Sequence, residues 1–325
     1  MKRITAVTAA HVDAGKTTLS EALLFAAGEI RRAGRVDNGD CFLDNDAHER
    51  ERGITIYSKQ AILRTEAVEI TLLDTPGHID FSAETERAFT VADCAILVIS
   101  GTDGVQPHTE TLWELLSRFE VPVFVFVNKM DISHRSKDDI LAELRRLSPK
   151  FADFSENITE TVSEYDEECM DAYLSRQCVP SPLISGAIAR RNVFPVMFGS
   201  ALKNVFIREF LDIFEQYASA KVWYDNFGAL VYKISTDPNG VRLTHMKILG
   251  GTLQNRTIID DSGEKITQIR VYSGAKFKAV DSAEAGQLVA VTGLSKTFAG
   301  QALGEAVGVS AVIEAPLIYR LILPA

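Results

Sequence analysis

One stretch, Ala10-His11-Val12-Asp13-Ala14-Gly15-Lys16-Thr17, constrains this chain more than any other. It follows an apolar, strand-like run from Ile4 to Ala9 and opens a helical pattern with Leu19, Ala22 and Leu23 on one face. That is the pattern of a phosphate-binding loop between a strand and a helix. Backbone N–H groups in such a loop point inward around oxygen anions, helped by the helix N-terminus. Lys16 is placed to neutralise β- and γ-phosphates, and the Thr17 hydroxyl to ligate Mg²⁺. Ala10 stands where the simple pattern has its first glycine, so the turn there must be one that alanine can make.

At 325 residues, two domains are expected. The formal net charge of −10 argues against a protein that binds nucleic acid over its whole surface, so any RNA contact is expected to be local or to come from parts outside this sequence, and DNA is not an expected partner. Cys41, Cys94, Cys169 and Cys178 show no paired spacing, and the histidines form no zinc pattern. Reduced thiols and a cytoplasmic location are the expectation. No apolar run approaches a membrane span, and no homo-oligomer is indicated.

Residues 4–9 read as a central parallel strand and 16–27 as its helix. Residues 28–53 are charged and irregular, and a loop of that length inside a domain is usually functional. It ends at Arg52-Gly53-Ile54-Thr55-Ile56. Beside a phosphate loop, the Thr55 hydroxyl can order around Mg²⁺ and the γ-phosphate and release after hydrolysis.

Strands at 60–65 and 68–73 deliver Asp74-Thr75-Pro76-Gly77-His78. Asp74 at a strand end is placed to hold Mg²⁺ through water, and Gly77 permits a close backbone approach to the γ-phosphate. A helix at 82–91, a strand at 94–99 and a helix at 107–119 follow. The near-continuous apolar run Val121–Val127 reads as a strand buried on both faces.

That strand ends at Asn128-Lys129-Met130-Asp131, the most discriminating tetrapeptide in the chain. A carboxylate at Asp131 accepts from both N1–H and N2–H₂ of guanine, a donor pair that adenine lacks. Asn128 either reaches the other edge of the base or ties its loop to the phosphate loop, and the Lys129 stem lies over the base plane. After a last strand at 193–198, the backbone of Gly199-Ser200-Ala201-Leu202 can meet guanine O6, and a helix at 206–217 closes the domain. All these segments sit at strand ends, where ligands of open α/β sheets bind.

The stretch from about 133 to 192 reads as an inserted acidic helical segment. It has a helix at 137–147 and, over 151–178, eight acidic residues against one basic, Arg176. Phe154, Ile158, Met170, Tyr173 and Leu174 point to packed helical pieces there. From 221 to 313, short alternating runs at 228–234, 241–249, 252–260, 264–272, 287–292 and 308–313 predict an all-β domain, a small barrel, with 298–300 and 304 in a loop. Pro316–Ala325 is an apolar run with nothing to cover it, so 314–325 reads as the start of a linker to further domains. The expected class is therefore an α/β P-loop GTPase domain over 1–220, mostly parallel sheet with helices on both faces, followed by an all-β barrel.

Taken together, these motifs resemble the translational GTPases of the elongation factor G group. The run Ala10–Thr18 has that group's form of the phosphate loop, and Arg52–Ile56, Asp74–His78, Asn128–Asp131 and Gly199–Ala201 match as they stand. Arg242-Leu243-Thr244 and Ala285-Gly286 resemble its second domain. Within the group, Leu43–Thr55 is similar to the tetracycline ribosomal-protection proteins. The resemblance implies ribosome-stimulated hydrolysis of GTP to GDP and phosphate, with the ribosome as partner. It implies nucleotide contacts from His11, Val12, Asp13, Ala14, Gly15, Lys16, Thr17 and Thr18, and Mg²⁺ held by Thr17, Thr55 and, through water, Asp74. It further implies that His78 positions the attacking water, moving past a gate formed by Val12 and Ile54, and that Asp13 carries a monovalent cation. Two other readings stand beside it: translocation of the elongation factor G kind, and a GTP-dependent binding switch with little hydrolysis. A metabolic ATPase or kinase conflicts with Asn128–Asp131.

Overall fold

Val123-Phe124-Val125-Phe126-Val127 has no side chain suited to water on either face, and all five residues are fully buried. Such a strand needs cover on both sides. The computed structural model describes residues 1–35, 41–43, 55, 57–221, 224–259 and 263–307. In it β1 (Lys2–Ala10), β2 (Lys59–Arg64), β3 (Val68–Asp74), β4 (Cys94–Ser100), β5 (Val123–Asn128), β6 (Phe151–Asp153) and β7 (Phe194–Phe198) form one sheet, ordered β2-β3-β1-β4-β5-β7-β6. Every pair is parallel except β2 with β3.

Helices cover both faces. α1 (Lys16–Ala26) and, later in the chain, α8 (Ile207–Tyr217) lie on one, where Ile207, Phe210, Leu211 and Phe214 follow helical spacing into the core. On the other face lie α2 (Ser82–Thr90), α3 (Pro107–Arg118) and α4 (Lys137–Leu147). The start of α4 is fixed reciprocally: Ser136 Oγ accepts from the Asp139 N–H at 3.1 Å, and the Asp139 carboxylate accepts from the Ser136 N–H at 3.2 Å.

Within 151–178 the structure departs from the expectation of helical pieces alone. Phe151–Asp153 is β6, an edge strand paired in register with β7 from Phe151↔Phe194 to Asp153↔Val196. α5 (Ile158–Ser163) and α6 (Glu167–Arg176) then pack on each other and on α7 (Ser181–Ala189), which packs beside α8. Phe154 is buried and Ile158 and Tyr173 pack against the core, but Leu174 is 68% exposed and Met170 is exposed as well.

Asp166 caps α6 by accepting from the Cys169 N–H at 3.2 Å, and also accepts from Asn192 and Arg190, each at 2.9 Å. Burial alone would raise its pKa, but these donors hold it at about 2. A carboxyl with a depressed folded pKa contributes stability above its unfolded value of 3.8 and loses it as pH falls toward 2. The contribution is about 2 kcal/mol. Accordingly, Asp166→Asn is expected to lower the urea midpoint at pH 5, with the gap to the parent closing by pH 2; a gap independent of pH would refute this.

The second half is antiparallel. One sheet holds β8 (Gly228–Thr236), β9 (Arg242–Gly250), β11 (Gln268–Ser273), β12 (Lys276–Val280), β14 (Leu288–Thr292) and β15 (Ala302–Gly304), ordered β12-β11-β14-β9-β8-β15. The other pairs β10 (Thr252–Gln254) with β13 (Ser282–Glu284). Their inner faces share a core of Val231, Met246, Ile248, Ile269, Ala283 and Val291, among others. The run 252–260 is shorter than expected: as a strand it ends at Gln254, after which the described residues form the isolated bridge Ile258↔Lys265, and β11 starts at Gln268 rather than 264. β12, β13 and β15 are additional to the expected runs. β12 is exposed over Lys276–Ala279 and so lacks buried alternation; β13 and β15 are three residues each. The expected strand at 308–313 and the segment 314–325 lie outside the described residues.

Three ion pairs among the described residues bind this β domain to the sheet domain, one of them between Arg3 and Glu284 at 2.8 Å. Lys247 Nζ lies 2.8 Å from Asp93 Oδ1 and donates to the Val91 carbonyl at 2.8 Å, with side chains 1% and 0% exposed. Lys233 Nζ lies 2.7 Å from Glu84 Oε1 and donates to the Ser58 carbonyl at 3.1 Å; the Ser58 hydroxyl also donates to Glu84. Burial would raise the Glu84 pKa, but Lys233 and Ser58 hold it below the usual range.

Candidate nucleotide site

Because β1, β3, β5 and β7 run in parallel, their carboxyl ends lie along one edge. From β1 the chain goes to β3 on one side and then crosses to β4 on the other, so the loops diverge around the end of β1. The phosphate loop, residues 11–15, lies there. Asp13 takes the left-handed conformation (φ 62°), as does Gly15 (φ 89°). A Cβ on Gly15 would run into the Asn128 side-chain amide, so this position has no room for a side chain.

Asp74, fully buried at the end of β3, gathers the polar groups below the loop. It accepts from Thr8 Oγ1 at 2.7 Å, Ser20 Oγ at 3.1 Å and Thr17 Oγ1 at 3.3 Å, and Lys16 Nζ lies 2.8 Å away. Lys16 is only 7% exposed, and its ammonium has this ion pair but no well-aligned hydrogen-bond acceptor. A buried ammonium with spare donors fits an oxygen anion. The Thr17 hydroxyl beside the Asp74 carboxylate is a hard oxygen pair of the kind that suits Mg²⁺; Thr55 is buried as well.

Gly77 lies against the phosphate loop: a Cβ there would sit 3.4 Å from the Ala10 carbonyl and 3.8 Å from the Val12 backbone. His78 is half exposed. Its Nδ1 accepts from the Asp80 N–H at 3.2 Å, and its ring tilts against Phe81 with centroids 6.1 Å apart.

Asn128 does tie the loops together. Its Nδ2 donates to the Ala14 carbonyl at 3.0 Å and its Oδ1 accepts from the Ala201 N–H at 2.8 Å. The base-reading loop is fixed again by the Met130 N–H, which donates to the Gly199 carbonyl at 3.0 Å. Lys129 adopts φ 62°, and Asp131 is exposed at the mouth. Ser200 and Ala201 are buried, Leu202 is 53% exposed, and Ser200 and Val205 close the turn by mutual backbone bonds. Thus His11–Thr18, Asp74, Gly77, Asn128–Asp131 and Gly199–Leu202 all lie along one edge. Val12 is half-buried there. Its expected gate partner, Ile54, falls outside the described residues.

Residues 1–220 match the family pattern of the elongation factor Tu GTP binding domain, and residues 226–306 that of elongation factor G domain 2. The chain belongs to the elongation factor G-like translational GTPases. Elongation factor G of Mycoplasma genitalium is 30% identical over 91% of this GTPase chain and 54% of its own length. The tetracycline resistance protein TetS of Listeria monocytogenes is 31% identical over 89% of the chain and 49% of its own length. The oxytetracycline resistance protein of Streptomyces rimosus is 33% identical over 91% and 51%. The GTPase chain thus spans about half the length of these relatives. A solved structure from Thermus thermophilus shares the fold with a TM-score of 0.85 and 24% identity, covering 98% of this chain and 56% of that one. No helix among the described residues is long and apolar enough to cross a membrane.

Sequence reasoning missed several residues of this GTPase site. Thr8 and Ser20, the partners of Asp74, lie on β1 and inside α1, where a small polar residue looks like an ordinary member of its element. Glu21, also within α1 and 1% exposed, accepts from the Gly34 and Leu43 N–H groups and so anchors the long loop after the helix. A buried glutamate on the helix after a phosphate loop was the available signal.

Proposed function

We propose that this protein hydrolyses GTP on the ribosome, in a task of the tetracycline-protection kind. The observation that supports the reading best is the convergence of Lys16, Thr17 and Asp74 below the phosphate loop, with Asn128 clamping that loop to the base-reading segment. Lys16 swings from Asp74 to the β- and γ-phosphates, and the loop amides take the non-bridging oxygens. Thr17, Thr55 and Asp74 would hold Mg²⁺, which when bound would supply positive charge against that developing on the phosphates. Gly77 brings its peptide to the γ-phosphate. His78 turns inward from its half-exposed position and orients the attacking water, and Asp13 would hold a monovalent cation beside the phosphates.

His78→Ala is expected to keep GDP affinity and to lower ribosome-stimulated turnover about a hundredfold. Unchanged turnover would remove His78 from the mechanism.

The ribosomal task is tested with the gene product at full length and ribosomes carrying labelled tetracycline. Release that requires GTP or its non-hydrolysable analogue is the expected result. Stimulated GTPase without release moves the function to translocation, the second reading, which the identity with elongation factor G supports.

A further inference from the structure

Gly101, the first residue of the turn after β4, lies directly against the base-reading stretch. β4 and β5 pair in parallel up to Ser100↔Asn128, so the two strands end level and their loops start side by side. Gly101 then exchanges hydrogen bonds with the other loop. Its N–H donates to the Asn128 carbonyl at 2.7 Å, and its carbonyl accepts from Ser133 Oγ at 2.8 Å. The approach is too close for a side chain: a Cβ on Gly101 would lie 2.7 Å from Met130 Sδ and 2.9 Å from the Asn128 carbonyl oxygen. The Ser133 hydroxyl is used twice, because it also accepts from the Arg135 N–H at 3.0 Å. Farther along the same turn, the Val105 N–H donates to Glu143 at 3.1 Å, and Glu143 pairs with Arg135.

The Ser133 bonds are not needed to start α4, which Ser136 and Asp139 cap by themselves. Asn128 is tied to Ala14 and Ala201, and the Met130 N–H to Gly199, but those ties all precede Asp131. Ser133 supplies a tie on the far side of it. We propose that Ser133 is a positioning residue for guanine recognition: by donating to the Gly101 carbonyl it closes the base-reading stretch onto the turn after β4 and fixes the direction of the Asp131 carboxylate. This deepens the reading of Asp131 as the base reader and rests on it. Ser133 acts through Asp131. A carboxylate distinguishes guanine from hypoxanthine only when both oxygens are aimed, one at N1–H and the other at N2–H₂. A loosened loop forfeits the second bond before the first. Inosine diphosphate keeps N1–H and lacks the amino group, so it reports the aim separately from the bond itself.

The test measures GDP and inosine diphosphate affinity, by displacement of fluorescent GDP, for Ser133→Ala and Ser133→Thr in the full-length gene product. Ser133→Ala is expected to weaken GDP binding about tenfold and inosine diphosphate binding about twofold, so that the preference between them falls about fivefold. Ribosome-stimulated kcat at saturating GTP is expected to stay within about twofold of the parent, because the lost interaction is made equally in the ground and transition states. Ser133→Thr keeps the hydroxyl and is expected to hold the parent's preference. If Ser133→Ala does not fold, Ser133→Cys is read in its place with the same loss expected, since a thiol fills the volume but donates weakly. An unchanged preference in the Ala variant, an equal fall for the two nucleotides, or a Thr variant as poor as Ala would each overturn the proposal. Asp131→Asn, run alongside, separates the two readings. If it too keeps the parent's preference for guanine, the assignment of Asp131 fails and the proposal with it; if it alone changes, Ser133 alone is excluded.

Discussion

Lys247→Met is expected to lower stability by about 3–5 kcal/mol, the cost of leaving one member of a buried ion pair alone. Lys247 and Asp93 are almost wholly removed from water. Burial pulls the Lys247 pKa down, and the Asp93 carboxylate works against that. With the ammonium gone, Asp93 retains the Thr5 N–H at 2.8 Å and the Lys221 N–H at 3.4 Å, too little for a charge in that position. The Val91 carbonyl loses its donor as well. Asp93→Asn combined with Lys247→Met removes both charges and is expected to restore most of the loss, because well-packed neutral replacements of buried pairs are often tolerated. Chemical denaturation followed by tryptophan fluorescence reads the total. Amide exchange in β1 and β9 shows whether the β domain detaches first. A single variant within about 1 kcal/mol of the parent would show that water reaches the pair.

Asp131→Asn is expected to weaken GDP binding by a factor of order 10³ or more and to raise affinity for the xanthine nucleotide. A site that accepts from specific donors discriminates strongly, since an unmatched polar group goes unpaired. In the proposed complex the carboxylate would face the guanine N1–H and N2–H₂ donors, and the amide would present N–H to N–H at the C2 substituent. Xanthine has a carbonyl at C2 in place of the amino group and would accept that bond. The loop should not move, because its shape depends on Asn128, the Met130 N–H and the φ of Lys129 rather than on the 131 side chain. Titration with fluorescent GDP and xanthosine diphosphate measures both. An unaltered preference for guanine would place base recognition elsewhere.

What could be read from the sequence divides by the range of the physics involved. Gly15, Lys16, Thr17, Asp74, Asn128 and Gly199–Ala201 are legible because phosphate and base chemistry demands fixed residue types in consecutive positions. The central strands are legible because burial on both faces leaves only apolar residues. β6 is not: three residues cannot show a period, and Phe151 could equally belong to a helix. β12 hides for the opposite reason, since Lys276, Phe277 and Lys278 are all exposed and show no alternation. Leu174 has the residue type of a core position but faces outward. Lys247 and Asp93, 154 positions apart in the sequence, pair only once the β domain has docked.

The Lys233 ammonium touches the tail of both segments proposed to flank the γ-phosphate, Ser58 three residues after Thr55 and Glu84 six after His78. Thermodynamic reciprocity turns that contact into a two-way gauge. To whatever extent GTP and GDP hold Ser58 and Glu84 differently, the grip of the β domain differs between the two nucleotides. Any surface that clasps this domain then alters the preference for GTP over GDP by the same factor by which the nucleotide alters the clasp.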